Sequence, residues 1–213
     1  MHATTSTTLL DVLASRREPS APARGVRLVS VLFIGALTAA GAQVSISLPY
    51  TQVPFTFQAT VVLLGGLVLG ARLGCASQLL YLAAGVAGLP VFATSLTLPA
   101  GPLRLLGPTG GYLMAYPIAA FVAGYLAERG FDRRYVTSVL AMCAGLAVIY
   151  ACGAVWLGLF ARTALGSAAI GVSGAVVTGV APFVLPDLVK LAAAAGIVPG
   201  LWRLVGSGRA PGL

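Results

Sequence analysis

Charge is scarce in this chain. Charged residues fill 8% of its 213 positions, whereas a soluble domain carries about 25%. Hydrophobic residues make up 58%, and the mean hydropathy is +0.96. A water-soluble fold is excluded on that balance. Histidine is nearly absent too, with His2 alone near the amino terminus, and lysine occurs once, at Lys190. No His/Asp/Glu cluster exists to hold a metal, no Ser/His pair to make a nucleophile, and no P-loop to hydrolyse ATP. Neither an enzyme nor a metal or other cofactor is therefore expected. The three cysteines, Cys75, Cys143 and Cys152, lie in apolar tracts without CxxC spacing, which points to small buried thiols. The net charge of +8 would suggest a nucleic-acid partner in a soluble protein. Here the basic residues fall between apolar tracts, so membrane orientation explains them and no nucleic acid is expected.

What the chain does have is long uncharged runs. A bilayer core about 30 Å thick needs about 20 apolar helical residues, about 17 at the short end. Runs of that order occupy 28–48, 55–71, 73–89, 110–127, 136–161 and 182–204. They are apolar at consecutive positions, not alternating as barrel strands would be. The reading is an all-α integral membrane protein, a six-helix transmembrane bundle over 26–206. Residues 1–25 form a polar, unstructured cytoplasmic tail and 207–213 a short carboxy-terminal one. The tract 163–177, rich in Gly, Ala and Ser, is the ambiguous one. With six spans and both termini inside, ten arginines are cytoplasmic and only Arg104 and Arg162 are outside. A seventh span would move Arg203 and Arg209 outside, so 163–177 reads as an outer loop with at most a short interfacial or re-entrant helix. Two more outer loops, 49–57 and 88–112, are proline-bearing and apolar, as a cap over a pocket would be.

Five acidic residues exist, and four lie in the tail or an inner loop. The fifth, Asp187, lies within an apolar run, three positions before Lys190. Charges in lipid cost about 2.5–3.5 kcal/mol each on insertion scales, so such a pair marks a functional site by default. Positions three apart share a helix face, so both groups can address one pocket. Pro182 suits a first helical turn, which places the pair in the outer half of the last helix. The alternative is a self-satisfied pair that pins the helix to a neighbour. Gly110 and Gly111, in "GPTGGY", open the fourth helix, where bare backbone amides favour an anion or a polar ligand; packing is the competing use. Ala36 and Ala40 have the four-residue spacing at which helices approach closely in lipid.

The strings "VPFTFQ" (53–58), "LGARLG" (69–74), "SQLLYLAAGVAGLPVFA" (77–93), "GPTGGYL" (107–113) and "PFVLPDLVK" (182–190) resemble the BioY family. Its members are the biotin-specific substrate-binding subunits, or S-components, of energy-coupling-factor (ECF) transporters. The resemblance runs in order over about 28–205. It implies a six-helix bundle in the bacterial inner membrane that binds biotin from outside. Its partners would be a transmembrane coupling protein and two ATPases. By the same resemblance, Asp187 and Lys190 are the paired ligand positions. Tyr112, Gly110 and Gly111 fall on the loop-to-helix part of the pocket, and Phe55, Thr56 and Gln58 on the first outer loop. Ala36 and Ala40 fall on the motif that docks the coupling protein. Arg104 is a candidate for the biotin carboxylate, with a solvated loop arginine as the alternative. A sister subunit for another vitamin, a small membrane enzyme and a structural membrane protein are the competing readings.

Overall fold

The structure is a computed structural model, and it describes residues 8–10, 12, 23–94, 101–160 and 170–207. Arg16, Arg17, Arg162, Arg209 and Pro99, together with most of the two expected tails, lie outside the described residues.

The chain folds as a mostly helical bundle. Helix α1, Ala23–Gln43, is followed by a two-residue antiparallel ribbon, β1 (Ser45–Ile46) with β2 (Phe55–Thr56). Then come α2 (Gln58–Leu69), α3 (Ala71–Val86), the single turn α4 (Leu103–Leu106) and α5 (Gly110–Leu126). Helix α6, Tyr135–Val155, runs on through a π-helical turn, Trp156–Phe160. The last three are α7 (Gly171–Gly179), α8 (Ala181–Ala195) and α9 (Ile197–Ser207).

Among the described residues, four helical runs are long and apolar enough to cross a membrane: Arg24–Gln43, Gly110–Phe131, Tyr135–Phe160 and Ala181–Val205. The second and third expected spans are helical but shorter, 12 and 16 residues, or about 18 and 24 Å. Their boundary is not Arg72, as charge spacing suggests, but Gly70, whose φ of 82° interrupts the helix. Helix α1 starts five residues before the expected 28, because Arg24 and Arg27 can lie in its first turns with their stems along apolar surface. It ends at Gln43 because Ser45 pairs with Thr56, so the first loop holds a ribbon that an all-helical reading misses. In the tract 163–177 the described part belongs to α7, a nine-residue helix and not a span. Its backbone breaks at Val180 (φ −122°, ψ −58°) before Pro182 enters the first turn of α8.

Helix α5 is central, packed against α2, α3 and α6. The approach to α2 and α3 is backbone to backbone. A Cβ added at Gly66 would lie 2.5 Å from the Ala120 carbonyl oxygen, and one at Gly124 would lie 2.3 Å from the Gly70 carbonyl carbon. Between α1 and α3 a buried polar cluster replaces apolar packing. Gln78 Nε2 donates to Thr38 Oγ1 (3.2 Å) and Ser77 Oγ (3.1 Å), a form of polar adhesion that suits helices in lipid.

At the end of the bundle that carries Arg72, Arg129, Arg133 and Arg134, Glu128 Oε1 accepts from the Ala71 amide (2.9 Å) and so caps α3 with negative charge. Asp132 accepts from the Trp202 indole (2.5 Å) and pairs with Arg133 (3.3 Å), fixing α9 to the α5–α6 turn. Burial pushes the Asp132 carboxyl above its ordinary range, against the opposing pull of Trp202 and Arg133. The expected unstructured tail is interrupted here. Thr8, Leu9, Leu10 and Val12 are described, with Leu9 fully buried in the main core. Leu10 is packed with Val31, Ile34 and Leu69.

Candidate functional site

At the opposite end lies a cavity of about 520 Å³, within the size class of small-molecule sites. The ribbon loop supplies one wall through Ser47, Leu48, Thr51, Gln52, Val53 and Pro54. The loop after α3 contributes Phe92, Ala93 and Thr94, and α4 contributes Arg104. The floor comes from Tyr112 and Tyr116 on α5, Ile149 and Tyr150 on α6, and Phe183 and Asp187 on α8. Asp187 and Arg104 are the two charged residues among those described that line it.

The acidic pole is the better held. Asp187 is 7% exposed, and both its oxygens are occupied. Oδ1 lies 2.5 Å from Lys190 Nζ, and Oδ2 accepts from the Tyr150 hydroxyl at 2.6 Å. Charge-assisted bonds this short hold the carboxylate in one orientation. Its remaining lone pairs, with those of the Tyr150 oxygen, form an acceptor pole for ligand N–H or O–H groups. Nearby, the Tyr112 hydroxyl donates to the Gly179 carbonyl at 2.9 Å, which ties α5 to the end of α7.

The loop side is held by polar ties. Gln58 Nε2 donates to the Tyr81 hydroxyl (2.6 Å), which donates in turn to the Val91 carbonyl (3.2 Å). Arg104 Nη1 donates to the Ala93 carbonyl (2.6 Å). Gln43 Nε2 reaches the Pro90 carbonyl (3.2 Å), and the Ser45 and Thr94 hydroxyls meet at 3.1 Å. The first limb of the long loop is thus fastened to α1, α3, α4 and the ribbon.

The residues expected from sequence divide into two groups. Asp187, Tyr112, Thr56, Gln58 and Arg104 line the cavity; Lys190, Phe55, Gly110 and Gly111 do not. The two glycines make room for protein: a Cβ at Gly110 would overlap the Leu105 carbonyl, and one at Gly111 would fall 2.2 Å from Trp156 Cβ. Trp156 Nε1 donates to the Gly107 carbonyl (2.9 Å), so the "GPTGG" turn is braced against α6. Phe55 lies under the Lys190 ammonium, 4.1 Å from ring centroid to Nζ. Ala36 and Ala40 do not line the cavity; they are exposed on α1 beside Leu32, Phe33 and Leu37.

Comparison with known proteins decides the family. The model of the BioY family matches residues 15–207. The chain belongs to the BioY family. Among curated members, the probable biotin transporter BioY of Pyrococcus horikoshii is 45% identical over 172 residues, covering 81% of this chain and 92% of that one. The biotin transporter BioY of Thermotoga maritima is 36% identical over 178 residues, covering 84% and 96%. In fold, the chain matches the crystal structure of the S-component for biotin from an ECF-type ABC transporter. The TM-score is 0.73 at 22% identity, over 84% of this chain and 92% of that one. BioY members are thus named for transport, in keeping with the lack of catalytic clusters in the sequence.

Tyr150 is the residue that sequence reasoning missed in this BioY chain. A lone tyrosine in an apolar tract has a signal only in retrospect: an acid in lipid requires a donor on a facing helix. Tyr150→Phe is expected to weaken ligand binding about tenfold, in line with a hydrogen bond to a charged group. Calorimetric titration of the variant and of a Tyr150→Phe/Asp187→Asn double variant checks this. The tyrosine effect should disappear once Asp187 is replaced.

Proposed function

We propose that this chain is the membrane-embedded biotin-binding subunit of an ECF-type transporter and takes up biotin with energy from ATPase partners. The observation that carries the reading is the cavity itself. Apolar walls enclose one carboxylate and one guanidinium, in a family whose members are named biotin transporters. Biotin has matching parts: a ureido ring with two N–H donors, an apolar thioether ring and chain, and a terminal carboxylate. Asp187 and Tyr150 would accept from the ureido N–H groups. Tyr112, Tyr116 and Phe183 would pack on the rings, and Gln58 and Thr56 would meet the remaining polar atoms. Arg104, at the cavity wall, would take the carboxylate.

In the same reading the bundle crosses the cell membrane six times, through α1, α2, α3, α5, α6 and the α8–α9 pair. The short α2 and α3 are accommodated by local thinning of the bilayer. Both termini face the cytoplasm and the cavity opens outward. The arginines support this orientation. Arg24, Arg27, Arg72, Arg129, Arg133, Arg134 and Arg203 belong to the end away from the cavity, and Arg104 to the cavity end. Ala36 and Ala40, exposed on α1, would dock the coupling protein, whose ATPase partners supply the energy.

Titration of the purified chain with biotin by calorimetry is the test. Tight binding by the wild type supports the reading, and Arg104→Ala should lower affinity about ten- to hundredfold, the range for a hydrogen bond to a charged group. A folded wild type that ignores biotin but binds another vitamin makes this a sister subunit instead.

A further inference from the structure

We propose that the turn between α5 and α6, together with α9, is a binding surface for the headgroup of an anionic phospholipid, with Arg129, Arg134 and Arg203 as its donors. The surface lies at the end of the bundle away from the cavity. The proposal therefore does not depend on which vitamin fills that cavity.

Charge is the first observation. Arg129, Arg133 and Arg134 fall within one short turn, and Arg203 follows Trp202 on α9; all four are exposed. The acids that could offset them are committed elsewhere. Glu128 caps α3 through the Ala71 amide, and Asp132 is held by Trp202 and Arg133. The first turn of α6 carries no acid. Among the described residues, Arg129, Arg134 and Arg203 thus have no carboxylate partner.

Aromatic rings hold two of these guanidiniums in place. Arg129 Cζ lies 3.3 Å from the Tyr125 ring centroid, and Arg133 Cζ lies 3.6 Å from that of Trp202. The second contact brings α9, and with it Arg203, to the turn. Stacking on a ring uses the face of a guanidinium and leaves its in-plane N–H donors for a phosphate, which they meet in pairs. Arg129 gives one donor to the Tyr125 carbonyl (3.1 Å) and keeps the others. Arg133 is engaged with Asp132 as well as Trp202, so it belongs to the frame of the surface.

What adjoins the arginines selects a lipid over an acidic protein segment. On α5, Phe121 and Tyr125 stack with ring centroids 6.2 Å apart, both exposed, and lead up to Arg129. On α6, Val136 is 66% exposed and Leu140 55%, one turn apart and directly after Arg134. Both belong to stretches long and apolar enough to cross a membrane. Each helix thus presents apolar surface that ends in arginine. A phospholipid has the same order, acyl chains and then phosphate, whereas an acidic segment would match the charge alone. Tyr and Trp rings suit the headgroup level, and each basic residue near an anionic leaflet strengthens association roughly fivefold.

The test uses the full chain in bilayers, in a Trp156→Phe background that leaves Trp202 as its one tryptophan. Quenching of Trp202 fluorescence by brominated phosphatidylglycerol and by brominated phosphatidylcholine gives their relative affinity at the surface. Phosphatidylglycerol is expected to be favoured at least about tenfold. Arg129→Gln/Arg134→Gln should bring the ratio to within about twofold of parity. Arg24→Gln/Arg72→Gln removes the same charge from the same end and should keep it above about fivefold. Arg134→Gln alone breaks no side-chain contact among the described residues, so it stays informative if the double variant fails to fold; it should lower the ratio about fivefold. Parity in the Trp156→Phe background, or no quenching by either lipid, overturns the proposal and leaves the arginines to an acidic protein surface. Equal loss in the two double variants also overturns it, because the preference would then belong to the net charge of that end and not to this surface.

Discussion

Replacing Asp187 by asparagine is expected to lower biotin affinity at least about a hundredfold and to destabilise the empty protein as well. Removing one member of a buried pair costs about 3–5 kcal/mol, because the partner charge is left without compensation. In this site the conflict is sharper. Asp187 Oδ1 faces the Lys190 ammonium and Oδ2 faces the Tyr150 hydroxyl, which are both donors. An amide offers one acceptor oxygen and one donating nitrogen, so the Lys190 ammonium keeps an oxygen partner only if the Tyr150 hydroxyl turns to accept from the nitrogen, and the negative charge that compensated the ammonium is gone. The expected pattern has two parts. Asp187→Asn unfolds at a lower temperature than wild type, and Asp187→Asn/Lys190→Met recovers much of that loss without recovering binding. Thermal unfolding in detergent and biotin calorimetry on the same preparations check it. A double variant that binds as wild type would remove Asp187 from the ligand's contacts.

A large stability effect is expected at Gly124, at the end of the bundle away from the cavity. A methyl group there would lie 2.3 Å from the Gly70 carbonyl carbon, 2.4 Å from the Ala71 nitrogen and 2.7 Å from Ala71 Cα. All three are backbone atoms, so no rotamer change relieves the overlap. Overpacking of a close-packed interior costs about 1–3 kcal/mol where side chains can adjust, and more where they cannot. Gly124→Ala should therefore cost about 3 kcal/mol, and Gly124→Val should leave little folded protein. The contrast is Gly200 in α9, where an added Cβ meets nothing within 4 Å and alanine should be tolerated. Detergent size-exclusion profiles and thermal unfolding of the three variants check the ranking. A stable Gly124→Val protein would refute the contact of α5 with the α2–α3 junction.

Parts of this architecture were legible in the amino-acid order. The uncharged tracts mark where helices form. The acid and the lysine inside the last tract stand out, because charge in lipid is costly enough to be informative, and the acid lines the cavity. Pro182 announces the start of α8 to within one residue. The orientation of single residues was less legible. Gly110 and Gly111 suit a ligand or a neighbouring helix equally well in sequence, and only packing shows that they face Leu105 and Trp156. Arg72 looks like a boundary because it is charged, whereas the break belongs to Gly70, where a left-handed backbone is needed. Tyr150 has no neighbour in sequence to give it away, since its partner is 37 positions later. The pair Asp187–Lys190 is joined in the structure, and its two members face different neighbours. Asp187 lines the cavity, and the Lys190 ammonium also donates to the Thr56 carbonyl.

The amino-terminal turn has a practical consequence for anyone preparing this protein. The family match begins at residue 15, so trimming to that boundary looks harmless. Yet Leu9 is buried in the main core, Leu10 fills a slot bounded by Val31, Ile34 and Leu69, and the Thr8 methyl covers Gly70. A gene shortened to the shared core would leave that slot bare at the arginine-rich end of the bundle. Apolar surface uncovered beyond the bilayer recruits other chains. Purification handles therefore belong at the carboxy terminus, and a shortened preparation that clumps in detergent would report the missing turn and not a defective transporter.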